Sequence, residues 1–352
     1  MQATSAIPGT TGGNREDLRD DITMLEPQKT PYTSMVSKTS EAKAMLSEVL
    51  GDRMRAPRTS GSREGTAGGK GGNKAARRAR FGNYMHRGSD EWACTLEQQL
   101  LSKRGGVAGV SNEADWQRAK TLSEFKRDVE AVNMSNNDGQ DGAGGDADMK
   151  TRGVMKWLTP SGTTLTPTVP NDFRVPGGTT AGQAVDEGGS VSCVYLHNQS
   201  SPQLFTEDGF NKLGKNLQKI HGGKESFEAI AGDNVVETID HFERLIARST
   251  TEAYTVPHFS GDATIQMMVN IYESSFWRVS IMGSQFVQVD SDGLGDPNAA
   301  AILKMDLWFM DHLQELEEVE QYANAGGEGG TFLTLWQNMC LSPRGNAKLA
   351  RV

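Results

Sequence analysis

NEADWQRAKTLSEFKRDVEAVNMSN, residues 112–136, places Trp116, Ala119, Leu122, Phe125, Val129 and Val132 at steps of three or four. That spacing predicts one apolar stripe along an α-helix of about seven turns, roughly 37 Å long. Asn112 can cap its start, Glu113 and Asp115 put negative charge where the first N–H groups are unpaired, and Gly139 follows the last apolar position. Polar residues between the apolar ones leave a wet face, so the helix lies across something rather than through it. Alone, the same pattern fits an ordinary surface helix of an enzyme; the flanking sequence decides between them.

Upstream, residues 1–16 are rich in Gly, Ser and Thr and read as mobile. In DLRDDITMLEPQKTPYTSMVSK (17–38), Leu18, Ile22 and Leu25 can share one short helical face. Pro27 and Pro31 then predict an extended path, with Tyr32, Met35 and Val36 as isolated apolar anchors. This is either an arm that needs a neighbour's surface or a connector packed on its own domain. Next, MLSEVL (45–50) leads through SGSREGTAGGKGGNKAARRAR (60–80) into FGNYMHRGSDEWACTLEQ (81–98), whose alternation is strand-like. Two extended limbs joined by a basic tip predict a long protruding hairpin, since long connections without their own structure are usually functional or disordered.

Downstream, NNDGQDGAGGDADMK (136–150) reads as a flexible linker, because the ligand spacing and closing glutamate of a calcium loop are missing. GVMKWL (153–158) is a short apolar piece before the loop-rich stretch 159–191. Phe210, Leu213, Leu217 and Ile220 mark a helix, with Thr206 as its cap and Gly222–Gly223 as its end. SFEAIAG (226–232) reads as a buried strand, GDNVVETIDHFERL (232–245) as a second helix, and VNIYESSFWRVSIM (269–282) as two strands meeting at Ser274–Ser275. AILKMDLWFMDHLQELEEVEQ (301–321) and TFLTLWQNMCLSPRGNAKLARV (331–352), split by AGGEGG, are read as a long antiparallel strand pair, although Leu313, Leu316 and Val319 also keep helical spacing.

The chain's 352 residues suffice for two or three packing units, yet only 36% are hydrophobic and 40 are glycine, which predicts much loop and extended arm. Cys94, Cys193 and Cys340 are too far apart for a metal site or a disulfide framework, which fits synthesis in a reducing compartment. The N-terminus shows no apolar signal core and no stretch approaches eighteen apolar residues, so the reading is of a protein made and used in solution, with no membrane role. Net charge is −9, but the tract 53–87 carries ten Lys/Arg against Glu64 alone, leaving −18 elsewhere. A chain so divided can pair with copies of itself as readily as with a polyanion.

Catalytic patterns are missing. Around Gly69–Lys70 a phosphate-binding loop would need a glycine at Glu64 and a hydroxyl at Gly71. The six histidines include no HxxxH pair and no GxSxG elbow occurs. Glu315, Glu317, Glu318 and Glu320 read as a solvated face or a dock for basic residues. No enzyme and no cofactor are implied. The basic tract lacks the interleaved aromatics of a single-strand binder, having only Phe81 and Tyr84 at its end. Contact with an acidic neighbouring subunit, non-specific phosphate contact and a solvated loop all stay open for it.

Arm, hairpin, long helix, mixed domain and returning strand pair, in that order, resemble the major capsid proteins of tailed phages with the Hong Kong 97 fold. TPYTSMV (30–36) is similar to the family's TP-aromatic-x-S-M arm, and LSEFKRDVEAVNMSNN (122–137) to its KELKRDME-type spine. GVMKWL is similar to the GLGAWI-like domain entry, and VNIYESSFWRVSIM to the V-x-VYES-x-F-x-x-V-x-I hairpin. Trp277 stands where a small residue is commoner. The resemblance covers about residues 17–350. It implies an α+β fold with an N-terminal arm (1–44), an E-loop (45–97), a peripheral domain from the spine helix (98–137) and the C-terminal strand pair (305–352), and an axial domain (138–304). Arm and E-loop would lie across neighbouring subunits, with Arg77, Arg78, Arg80, Tyr32 and Met35 as candidate contacts. Lys70 and Lys74 are positional candidates for the cross-link some members form, with no partner asparagine identified.

The implied function is a major capsid protein that self-assembles, as hexamers and pentamers, into an icosahedral shell around double-stranded DNA bound without sequence specificity. Portal, scaffolding and decoration proteins would be its other partners. It would be made in the host cytoplasm and end in the virion. The alternatives are an encapsulin-like compartment shell and a monomeric nucleic-acid-binding protein using the tract 53–87.

Overall fold

The computed structural model describes residues 29–40, 42–54, 59, 64, 78–100, 113–142, 148–177, 191–197, 204–249, 271–289, 295–322 and 327–351. The N-terminus read as mobile, the helical face expected at Leu18–Leu25, the cap expected at Asn112 and most of the basic tip, Lys70 and Lys74 included, lie outside the described residues.

In chain order the elements are α1 (Pro31–Met35), β1 (Ser37–Thr39), β2 (Leu46–Gly51), β3 (Ala79–Tyr84), β4 (His86–Cys94), α2 (Leu96–Leu100) and α3 (Glu113–Met134). There follow α4 (Val154–Trp157), β5 (Val194–His197), α5 (Glu207–His221), β6 (Glu225–Ala231), α6 (Asp233–Ser249), β7 (Ile271–Glu273) and β8 (Trp277–Gly283). β9 (Ala300–Leu303), β10 (Trp308–Tyr322), β11 (Glu328–Cys340) and β12 (Ala347–Arg351) complete the described chain. The strands form a four-stranded sheet β1-β10-β11-β4, a six-stranded sheet β5-β12-β9-β6-β8-β7 and a separate pair β2-β3.

The described residues fall into two compact units, one within Ser89–Phe125 and Glu317–Leu333, the other within Lys29–Gly88, Lys126–Leu316 and Thr334–Val352. In the first unit, Trp92 Nε1 donates to Glu318 Oε1 at 2.9 Å and Arg118 pairs with the same glutamate. The second unit holds one contiguous hydrophobic core. β12 departs from the expected C-terminal pair: it runs parallel to β5 and antiparallel to β9, because Ala347, Leu349 and Ala350 are covered on both sides and suit an inner strand.

The part of the six-stranded sheet from α5 to β8 follows its local sequence signals. Thr206 Oγ1 accepts from Gly209 N at 3.2 Å to start α5, and Gly222, at φ 80°, ends it with its N–H on Gln218 O. Phe210, Leu213 and Leu217 form the buried stripe. β6 and β8 run parallel, and β7 turns back antiparallel through Ser274–Phe276 as the hairpin reading expected. Trp277 is completely buried, and a Cβ on Gly214 would come within 2.5 Å of its indole. A large residue on β8 thus fits because α5 carries a glycine beneath it. Trp277 lies 4.7 Å, centroid to centroid, from Phe210, in a group with Phe205, Phe242 and Tyr272.

The long helix spans 22 residues, about 33 Å, and differs from its predicted stripe. Phe125 is buried, Trp116, Leu122, Val129 and Val132 are half-buried, and Ala119 is exposed. The remaining buried positions are Ala114, Thr121, Glu130, Asn133 and Met134, so half of the buried positions are polar. Gly139 does not stop the helix; Ser135, bonding Val132 O through its N–H and its hydroxyl, does. Gly139 is needed because a Cβ there would sit 2.6 Å from Thr166 O.

Candidate assembly interface

All the groups described next belong to the second unit. β2 and β3 pair antiparallel from Leu46↔Tyr84 to Gly51↔Ala79, the two limbs expected of the hairpin. The strand expected over 81–98 is broken at buried Met85, whose N–H bonds Met45 O, and only β4 beyond it joins the four-stranded sheet.

At the hairpin root, Asn83 is completely buried and makes five hydrogen bonds. Its amide nitrogen donates to Asn338 O at 2.7 Å, Thr151 Oγ1 at 2.8 Å and Arg152 O at 3.3 Å. Its amide oxygen accepts from Arg152 N at 2.8 Å and Tyr84 N at 2.9 Å. Arg152, also completely buried, donates from Nε to Asp138 Oδ1 at 2.8 Å and lies 4.5 Å above the Trp157 ring. Burial pulls its guanidinium pKa down, an effect Asp138 opposes. Asp138 also accepts from Thr166 N, so this end of the expected linker is a fixed joint. Trp157 Nε1 donates to Asn338 O at 3.1 Å, closing the network onto β11.

The arm joins the same network from the other side. Pro31 does not force an extended path; it occupies the first turn of α1, where its fixed φ and missing N–H suit a helix start. Thr30 supplies no side-chain cap. The cap comes from Glu130 on α3, whose completely buried carboxylate accepts from Tyr32 N and Thr33 N at 2.8 Å each and from Thr33 Oγ1 at 2.5 Å. Burial pushes the Glu130 carboxyl above its ordinary value, and the bonds from Thr33 and Tyr32 pull against that rise. Tyr32 OH donates to Asn338 Oδ1 at 2.5 Å, and β1 runs parallel to β10 from Ser37↔Phe309 to Thr39↔Asp311.

Tyr32 and Met35, the candidate contacts on the arm, both pack on the core of their own chain. Tyr32 has no exposed surface and Met35 packs half-buried on the same core, so both anchor the arm to its own chain. Neither Glu130 nor Asn83 was singled out by sequence reasoning. The available signal was a polar residue inside an otherwise apolar face: Glu130 beside Val129, and Asn133 between Val132 and Met134.

The solvent face of the hairpin is different. Arg78 donates from Nε to Asp52 Oδ2 at 2.9 Å, and Arg80 lies 4.0 Å from Glu48. The Arg78 guanidinium holds the Asp52 carboxyl below its usual range. Arg53 pairs with Asp172 at 3.1 Å. Arg77 lies outside the described residues. On the same face Leu50 is 65% exposed and, just beyond β2, Met54 is 95% exposed. Of the acidic run, Glu315 accepts from Ser40 Oγ at 2.6 Å, while the side chain of Glu320 lies outside the described residues. Among the described residues, no group of three or more His, Cys, Asp or Glu side chains is placed to hold a metal.

The sequence matches the family described as SU10 major capsid protein over residues 3–330. No curated protein matches it. The structure resembles the capsid subunit of cyanophage A-1(L), with TM-score 0.62, 10% identity and coverage of 96% of each chain. It also resembles that of cyanophage P-SCSP1u, with TM-score 0.57, 10% identity and coverage of 96% of this chain and 93% of the other. For Gordonia phage Cozz the TM-score is 0.53 at 11% identity, covering 99% and 98%. At such identities the likeness carries the fold, which is Hong Kong 97-like; the family match carries the rest. Because that match runs almost end to end, the chain belongs to the SU10 major capsid protein family and is a shell-forming subunit of a tailed-phage capsid.

Proposed function

We propose that the chain acts as a non-enzymatic building block, joining copies of itself as hexamers and pentamers into an icosahedral shell around double-stranded DNA. It would be synthesised in the host cytoplasm, with portal, scaffolding and decoration proteins as further partners. The observation that carries this reading is the β2-β3 pair, a two-stranded sheet belonging to neither larger sheet, with Leu50 exposed on it and Met45 and Met54 exposed just outside β2. A lone pair of strands is marginal in water and gains by covering that face. Many such contacts, each weak, become cooperative when a closed shell holds every subunit through several neighbours.

In this reading residues 1–44 serve as arm, with 29–39 docked on their own chain, and residues 45–97 as E-loop. Arg77, Arg78 and Arg80 remain contact candidates at the edge of that loop. The test is electron microscopy and sedimentation velocity of the chain expressed alone and together with the proteins encoded beside it. Rings or closed shells are expected. A monomer under every condition that binds DNA with a steep salt dependence would overturn the proposal.

A further inference from the structure

Two arginines of the second unit come together with a single carboxylate. Arg53, just beyond β2, donates from Nη1 to Asp172 O at 3.0 Å and to Asp172 Oδ1 at 3.1 Å. Arg344 is carried by the turn Pro343–Gly345, between β11 and β12, and stands close enough to interact with both charges. Burial and the Arg53 guanidinium hold its pKa below the ordinary arginine value, with Cys193 and Asp172 opposing. Among the described residues the half-buried Arg344 side chain makes no hydrogen bond and no ion pair. Two cations therefore share one anion. Both turns are held from behind. Asn346 donates from Nδ2 to Ser342 O at 3.0 Å and Pro343 O at 3.3 Å, while its Oδ1 accepts from Lys304 N and Trp308 Nε1. His221 Nε2 meets Gly345 O at 2.8 Å. The turn Asn171–Phe173 is pinned by buried Phe173, whose ring lies 5.4 Å, centroid to centroid, from Phe81. A guanidinium on so fixed a turn loses little freedom on binding, and its planar fork fits an oxyanion.

We propose that Arg53 and Arg344 form a clamp for a carboxylate of a second copy of this chain. This rests on the shell-forming reading and deepens it by naming the chemistry of one contact. An incoming carboxylate balances the spare positive charge and gives Arg344 a partner without taking Asp172 from Arg53. The chain supplies such groups in excess: a net charge of −9 with +9 in the tract 53–87 leaves −18 elsewhere. A row of DNA phosphates suits the place less, because exposed Asp52 and Asp172 stand beside the arginines and repel a polyanion more than a single carboxylate.

The test compares particles from cells expressing the wild type, Arg344→Glu and Arg344→Lys. Arg344→Glu is expected to lose at least tenfold in particle yield and Arg344→Lys less than threefold. Both should keep the wild-type unfolding midpoint, since the side chain holds nothing in its own chain. Arg344→Lys also makes the place reactive, because a water-soluble carbodiimide joins an amine, but not a guanidinium, to a carboxylate paired with it. Treated Arg344→Lys particles are expected to give a covalent dimer joined through position 344, located by mass spectrometry of the dimer band. Normal particles from Arg344→Glu, or coupling of position 344 to Asp172 of its own chain alone, would overturn the inference and leave the shell reading standing. A loss in Arg344→Glu confined to DNA-filled particles, with empty ones normal, would assign the arginines to packaged DNA and overturn it too. Failure of the wild type to assemble with the proteins encoded beside it would overturn the shell reading itself.

Discussion

Trp277 and Asn83 are both completely buried in the larger unit, yet they hold their surroundings by opposite means. Around Trp277 the six-stranded sheet and α5 close an apolar core, with Gly214 cut to the shape of the indole. Around Asn83 and Glu130, the arm, the hairpin, α3 and β11 meet through a polar network in which nearly every partner is distant in sequence. The first region is fixed by volume and tolerates little change in it. The second is fixed by direction: Asn83 makes five hydrogen bonds and the Glu130 carboxylate accepts three, so elements without cores of their own are tied at single points. Such points suit a subunit whose arm and hairpin must be held at a defined angle.

The contrast can be broken most severely at the core. Trp277→Ala removes a buried indole above Gly214 and is expected to lower stability by about 4 kcal/mol in urea unfolding, as one global transition. Asn83→Ala strands partners on Thr151, Arg152 and Asn338, and is expected to cost about 3 kcal/mol. Its signature is selective: proteases should cut the hairpin limbs before the six-stranded sheet melts. If both variants unfold the molecule uniformly, the two regions are not held differently.

Lys348 sharpens the comparison by placing a charge in the apolar region. It is buried in β12 with its ammonium on Met155 O, and burial brings its pKa down to about 8. Between pH 8 and the ordinary lysine value the unfolded chain binds more protons, so stability should rise with pH across that window. Lys348→Met should remove the rise and add about 2 kcal/mol at neutral pH.

Glu130→Gln keeps one acceptor but turns a donor towards the N–H groups of α1. It is expected to cost about 1–2 kcal/mol, with tryptic cutting at Lys29 and Lys38 preceding global unfolding. Because burial raises the folded pKa of Glu130, its linkage contribution is full below the ordinary glutamate value and is lost as pH rises through the folded one. The glutamine variant should lack that dependence. The smallest effect belongs to Arg78→Gln, whose pair with Asp52 is solvent-exposed and should leave the unfolding midpoint unchanged.

The legible parts of the sequence were those whose cause is local. Thr206, the Phe210–Leu217 stripe and Gly222 together announce α5, since cap, period and left-handed end all lie within one helix. The strand pair β10-β11 and the hairpin limbs β2-β3 could be read from alternation and the turns between them. Leu50 and Met54 were visible as apolar residues beside the basic tract, but their exposure was not. Pro31 misled because its meaning depends on what lies ahead of it: with Glu130 supplying a cap from another helix, it begins a turn instead of preventing one.

By itself, then, the sequence determined the order of elements, helices α5 and α6 with strands β6, β7 and β8, and the division of the chain into regions with and without sufficient apolar residues. Only the tertiary structure decided that β12 enters the six-stranded sheet, that Glu130 and Asn83 hold arm and hairpin, and that Arg78 and Arg80 face Asp52 and Glu48 within their own hairpin. The physical reason is range. Periodicity and capping act over a few residues, whereas a buried hydrogen bond between Tyr32 and Asn338 joins positions 306 apart, and no local pattern specifies such a partner.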